Sequence, residues 1–220
     1  MSLPFAFERS PPFDRIAVAP GAWRYATAAF ALAVVLAPFV FPIALLSAAL
    51  GVGILWFHRD PDRSTEPTGP PVSPADGRVS VVRSEGERIR IGVFMNVDDV
   101  HVNRAPDGGI IDAVDRRPGG YRPAFSKESE RNERVRIDCG SYEVILIAGW
   151  FARRIHPYVE PGDRLVRGER IGHVSFGSRA DVLLPTEYGM ADVSVAVGDR
   201  VRAGETPIVD PDTPEGRCSR

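Results

Sequence analysis

The hydrophobic pattern divides the chain in two. From Ala26 to Phe57 no charged residue interrupts "ATAAFALAVVLAPFVFPIALLSAALGVGILWF". As one straight helix this run would be about 48 Å long, well beyond the ~30 Å hydrocarbon core of a bilayer. Pro38 and Pro42 fall near its middle, leaving halves of roughly 20 Å, each too short to cross comfortably alone. The pattern predicts a helical hairpin, transmembrane or re-entrant, that bends between the prolines. Arg9, Arg15 and Arg24 precede it, and His58, Arg59 and Arg63 follow it, which favours both ends on the cytoplasmic side. Trp23, Tyr25 and Trp56 suit the membrane interface. A secretory signal fits less well, because Glu8 and Asp14 lie in its would-be basic region. A single tilted span would leave carbonyls freed by mid-membrane prolines.

After Asp60 the period changes. A Pro/Thr/Gly-rich stretch, read as a linker over 58–71, leads into short β-branched runs separated by Gly, Asp and Pro. These include "GRVSVV", "RIRIGVFM", "RVRIDCG", "YEVILIAGWF" and "VSVAV". Such runs predict a mainly β domain over 72–210, followed by a polar tail at 211–220. Within it "VEPGDRLVRGERIG" from Val159 returns as "VAVGDRVRAGETPI" from Val195. Gly162, Asp163, Arg164, Gly168 and Glu169 recur as Gly198, Asp199, Arg200, Gly204 and Glu205. Each unit reads as strand, Gly-Asp turn, short strand, Gly-Glu turn and strand. With "SPADGRV" the repeat resembles the halves of biotinyl and lipoyl carrier domains, a barrel-sandwich hybrid of two interlocked hammerheads. No lysine lies near the repeats to carry a cofactor, so only the fold likeness is retained.

Charge and composition narrow the chemistry. The formal net charge is −2, and Lys127 is the only lysine among 27 basic residues. Dispersed arginines at near-neutral total charge give no nucleic-acid footprint. Cys139 and Cys218 form neither a C-x-x-C pair nor a spaced metal set, which fits a reduced compartment. The histidines, His58, His101, His156 and His173, lack metal-ligand spacing, so no metal site is expected. His58 reads as a membrane flank and His173 as a sheet histidine. His156 follows Arg153 and Arg154 and reads as a core or turn residue. His101 sits in a polar cluster with Asp98, Asp99, Asn103 and Arg104. "FGSRA" at 176–180 is not a G-x-S-x-G elbow, and no helical pattern follows it.

Four ordered segments resemble the phosphatidylserine decarboxylase family in its short, membrane-anchored form. They are "SPADGRV" (73–79), "DVHVNRAP" (99–106), "AFSKESERNERV" (124–135) and "GDRLVRGERIGHVSFGSRADVLLP" (162–185). The resemblance implies a proenzyme that cuts itself between Gly177 and Ser178, into residues 1–177 and 178–220. Ser178 Oγ would attack the Gly177 carbonyl. The ester so formed would eliminate to dehydroalanine, and hydrolysis would release ammonia and leave an N-terminal pyruvoyl group. That group would take a substrate amine as an imine and accept the electrons released as CO₂ leaves. It would replace pyridoxal phosphate, and Lys127 in a charged loop is a poor Schiff-base lysine.

By the same resemblance Asp76 matches the family's acid, and His101 the first histidine of an H-x-x-H motif. His101 is thus the base or proton donor, and Asp76 either orients it or acts with a water. The second histidine position is Arg104, a departure from the pattern of longer members. The implied substrate is a serine phospholipid in the membrane, phosphatidylserine or its archaeal ether-linked counterpart, archaetidylserine. Its phosphate would meet Arg104, Arg179, Arg153 or Arg154. Residues 118–134 read as a flap over the site. A homo-oligomer stays open. The rival readings are a non-catalytic lipoyl-like module and a hydrolase that uses Ser178.

Overall fold

The computed structural model describes residues 18–120, 122, 131–149, 154–175 and 177–210. Arg153, Lys127, Cys218, the centre of the expected flap and the polar tail lie outside the described residues. The fold is mainly β, with two helices at its start.

Helix α1 (Ala22–Leu36) and helix α2 (Phe41–Phe57) form a hairpin. Pro38 lies in the turn, and Pro42 opens α2, where a missing N–H costs nothing. Their shared face carries small residues: Ala22, Ala26, Ala29 and Ala33 against Ala44, Ser47 and Gly51. Ser47 Oγ donates to Ala29 O at 2.8 Å, and Phe30 fills the space a side chain at position 51 would need. The outward faces expose Leu32, Val35, Phe39, Leu46 and Leu50. At 15 and 17 residues, neither helix is long and apolar enough to cross a membrane.

The main sheet has seven antiparallel strands in the order β12-β1-β2-β11-β7-β6-β5. These are β1 (Gly77–Glu85), β2 (Arg88–Phe94), β5 (Ala113–Arg117), β6 (Arg134–Asp138), β7 (Glu143–Ile147), β11 (Arg179–Leu183) and β12 (Arg200–Val201). A second sheet joins β3 (Val102–Arg104), β10 (Arg170–Val174) and β8 (Ile155–Pro157). A third pairs β4 (Gly109–Ile110) with β9 (Arg164–Leu165). Alternate residues of the strands, among them Ile91, Val93, Leu146, Val182 and Ile171, build one apolar core.

The repeat is visible as duplicated turns. Gly162 and Gly198 both have positive φ, and Asp163 and Asp199 each accept from the backbone N–H three residues back, at 2.8 Å. Gly168 and Gly204, also at positive φ, meet against Thr65. Gly168 N–H donates to Ala105 O, and Gly204 N–H to Ser73 O. Each repeat thereby holds one of the two upstream motifs, "DVHVNRAP" and "SPADGRV".

The stretch at 58–71 has no helix or strand, but it is pinned along its length. Arg59 donates to Asp98 O, Asp60 pairs with Arg104 and Arg170, and Arg63 pairs with Asp76 and Glu205. Arg167 donates to the carbonyls of Glu66 and Pro70. Local composition suggested a linker, but distant partners decide its conformation.

Strand β11 is buried on both faces. Its Asp181 is 0 % exposed and accepts from Arg179 at 2.7 and 3.0 Å and from Arg90 at 2.8 Å. Gly92 on the neighbouring strand leaves the room: a Cβ there would lie 2.6 Å from Asp181 Oδ1. Removing one partner of such a buried cluster leaves uncompensated charge. Asp181→Ala is expected to cost about 3–5 kcal/mol, readable as a lowered denaturation midpoint in detergent.

Candidate active site

Gly177 and Ser178 lie where the chain leaves β10 of the three-stranded sheet and enters β11 at the centre of the seven-stranded one. Gly177 has φ +74, in the left-handed region that favours glycine. Ser178 is 0 % exposed, its carbonyl accepts from Met95 N–H at 3.0 Å, and its Oγ has no hydrogen-bond partner among the described residues. A buried hydroxyl without a partner is costly in a structural role and marks a site.

The Gly177 carbonyl packs onto Gly149, just beyond β7. A Cβ at position 149 would lie 1.7 Å from Gly177 O and 2.5 Å from its carbon. Gly149 was not singled out in the sequence, although a glycine inside "ILIAGWF" is a signal for close backbone approach. Gly149→Ala must displace the Gly177 carbonyl. Displacement by an ångström is enough to slow a reaction at that bond by about 100-fold. A time course of chain cleavage, beside an unchanged far-ultraviolet circular dichroism spectrum, checks this.

His101 is buried beside the end of the hairpin, its ring centroid 4.4 Å from that of Phe57. Its Nδ1 lies 3.0 Å from Asp99 O. A carbonyl only accepts, so Nδ1 carries the hydrogen and the neutral ring presents a bare lone pair at Nε2. That atom has no partner among the described residues. Burial pushes the imidazole down to about 4, against a smaller upward pull from the Asp99 bond. At neutral pH His101 is therefore an uncharged base with its lone pair unused.

Asp76 is not the group that orients it. Asp76 Oδ1 accepts from Ala203 N–H and Oδ2 from Arg63, both at 2.8 Å. No hydrogen bond joins Asp76 to His101 among the described residues, and the Asp99 main chain takes the orienting place. Asp76 ties the "SPADG" turn to the second repeat and to the segment after the hairpin.

Two of the expected phosphate ligands are engaged within the fold. Arg104 is buried, donating to Gly168 O and Pro61 O and pairing with Asp60 at 3.1 Å. Arg179 is buried against Asp181. Both guanidiniums are committed to the fold. Arg154 is exposed. A cavity of about 590 Å³ at the foot of the hairpin is lined by charges of both signs, Arg59, Arg63, Arg200 and Arg202 with Asp62, Asp76, Asp98, Asp99 and Glu205. Arg200 reaches Asp98 and Asp99 only at 3.3–3.4 Å.

The fold also gathers histidines that are far apart in sequence. His156 and His173 stack at 4.6 Å, His58 lies 6.4 Å from His173, and Tyr158 Oη is 2.6 Å from His173 Nδ1. Burial and the neighbouring histidines push His173 down to about 3. Among the described residues no group of His, Cys, Asp and Glu is arranged to hold a metal.

Comparison with known proteins agrees with these motifs. The profile of the phosphatidylserine decarboxylase family matches residues 51–209. A Halobacterium salinarum protein, provisionally named archaetidylserine decarboxylase proenzyme, is 54% identical over 194 residues, 88% of this chain and 98% of its own. A phosphatidylserine decarboxylase proenzyme of Thermobifida fusca is 51% identical over 171 residues, 76% of this chain and 77% of its own. The one from Streptomyces avermitilis is 47% identical over 171 residues, 76% and 78%. With its profile spanning most of the chain and these relatives matched over three quarters of it or more, the protein belongs to the phosphatidylserine decarboxylase family.

Proposed function

We propose that the chain is a membrane-anchored proenzyme that cuts itself between Gly177 and Ser178 and decarboxylates a serine phospholipid to the ethanolamine phospholipid. The observation that carries this reading is the unpartnered, fully buried Ser178 Oγ beside a glycine carbonyl held against Gly149.

In the self-cleavage, His101 Nε2 takes the proton of Ser178 Oγ, which is a poor nucleophile until then. The oxygen attacks the Gly177 carbonyl carbon, the peptide C–N bond breaks, and an ester remains with a free Ser178 amine. Loss of the Ser178 α-proton then expels the Gly177 carboxylate. Water replaces the nitrogen, ammonia leaves, and Ser178 has become a pyruvoyl group. The residues fit this group: the hydroxyl-bearing carbon becomes its methyl and the keto oxygen takes the place of the Ser178 nitrogen, in a position the fold already buries. When present, the pyruvoyl supplies an electrophilic carbonyl that captures the substrate amine and draws in the electrons left by CO₂. His101 then returns a proton to the substrate carbon.

The short chain stays in place without a disulfide. It begins at β11, which pairs with β2 on one side and β7 on the other, and it ends beyond β12. The paired Gly-Asp repeats are read as the two interlocked hammerheads of a barrel-sandwich hybrid.

The hairpin is read as a membrane anchor that enters the bilayer without crossing it, with the β domain on the cytoplasmic face. Its exposed apolar residues and its 15- and 17-residue helices support this. At its foot lies the cavity of mixed charge, and its exposed Arg200 and Arg202 are read as the groups that meet the headgroup phosphate. The lipid is phosphatidylserine or archaetidylserine, since relatives of similar identity bear either name.

The test is CO₂ release and headgroup conversion with each lipid in mixed micelles. Turnover with a cleaved chain is expected. An intact chain labelled by a fluorophosphonate would favour a Ser178 hydrolase, and an intact, inert chain a binding module.

A further inference from the structure

Asn103 is 0 % exposed and its Oδ1 has no hydrogen-bond partner among the described residues. The orientation of its amide is fixed by its surroundings. Nδ2 faces Pro74 O at 3.4 Å and Met95 Sδ at 3.6 Å, and a carbonyl can only accept, so the nitrogen belongs there and Oδ1 points elsewhere. Asn103 is the middle residue of β3, and His101 immediately precedes that strand. Met95 ties Asn103 to the cleavage site: its Sδ receives the Asn103 amide, and its N–H donates to Ser178 O.

The site thus contains two buried acceptors with nothing to accept, His101 Nε2 and Asn103 Oδ1. The Ser178 hydroxyl is a donor in the uncut chain, but conversion to pyruvoyl removes it. A serine phospholipid offers an acceptor-only phosphate, an acceptor-only carboxylate and one donor-rich group, its amine. We propose that Asn103 Oδ1 receives the amino group of the serine headgroup and so aims it at residue 178. This rests on the functional reading above. Asn103 then discriminates for the amine.

The test compares Asn103→Ala and Asn103→Asp with the unaltered chain. The probes are the serine lipid and a matching lipid with hydrogen in place of the amino group. Two readouts are taken: KM and competitive Ki on the cleaved protein, and equilibrium binding of both lipids to uncut Ser178→Ala chains. Asn103→Ala is expected to cleave normally and to weaken the serine lipid roughly 10- to 100-fold, the effect of losing a hydrogen bond to a charged group. The deaminated lipid should be unaffected, and Asn103→Asp, which keeps an acceptor, should restore the preference. If the alanine chain does not fold, Asn103→Leu, similar in size and without an acceptor, replaces it. Where the uncut chain binds neither lipid, the KM and Ki ratio decides. Equal weakening of both lipids, no change in either, or a folded but uncut variant would overturn the proposal. Failure of the unaltered chain to split after Gly177 would instead overturn the functional reading itself.

Discussion

Ser178→Ala is expected to give one uncut chain of about 24.0 kDa that folds but turns over no lipid. Without the hydroxyl no oxygen can take the acyl group of Gly177, and no pyruvoyl can form. The loss of turnover should be on the order of 10⁶-fold or more, the whole advantage of an enzyme of ordinary power. Alanine fits the site sterically, and the hydroxyl it removes has no partner, so stability should hold or rise slightly. Electrophoresis and a lipid turnover assay on the same preparation read both outcomes. A split Ser178→Ala chain would mean that the oxygen nucleophile lies elsewhere.

The second large effect is expected at His101. Removing a positioned base costs roughly 10²- to 10⁴-fold, so His101→Ala should cleave that much more slowly. The pH dependence separates this role from a generic packing defect. His101 titrates at about 4, so cleavage should stay near its plateau well below the ordinary imidazole range and fall only as pH approaches 4. Stability follows the same groups. Unfolded, His101 and His173 bind protons near 6.5, but folded they do so only near 4 and 3. The unfolded chain therefore holds more protons between these values. The stability present above about pH 6.5 is lost progressively as pH falls through 4 and 3. A folded His101→Ala chain that cleaves as fast as the unaltered one would show that His101 is not the base.

Much of this arrangement was legible from local pattern. The charge-free run with two prolines gave two helices and a bend, because helix periodicity and proline act within a few residues. The Gly-Asp turns announced themselves twice, since a positive φ at Gly162 and Gly198 imposes glycine wherever that turn recurs. Ser178 was marked by its place between two strand-like runs.

What stayed hidden depends on contacts between distant residues. Arg104, expected at a phosphate, is claimed by Asp60, which lies in a stretch whose composition suggests a linker. Asp76, expected beside His101, is held by Arg63 and by the second repeat. Gly149 matters only because Gly177 arrives over it from another sheet. His58, read as a membrane flank, meets His173 only once the hairpin's end is docked.

The same docking gives the hairpin a second consequence. Phe57 ends α2 and also packs on His101, and Arg59 stacks over Trp56 at 4.4 Å while donating to Asp98 O. The apolar hairpin and the proposed base are therefore parts of one packed unit.

The most direct measurement is the intact mass of the purified full-length protein in detergent, with the two chains resolved. The expected result is a long chain ending at Gly177 and a short chain beginning at residue 178, lighter by one ammonia than a serine-started fragment. A single unbroken chain in a preparation that turns over lipid would contradict it.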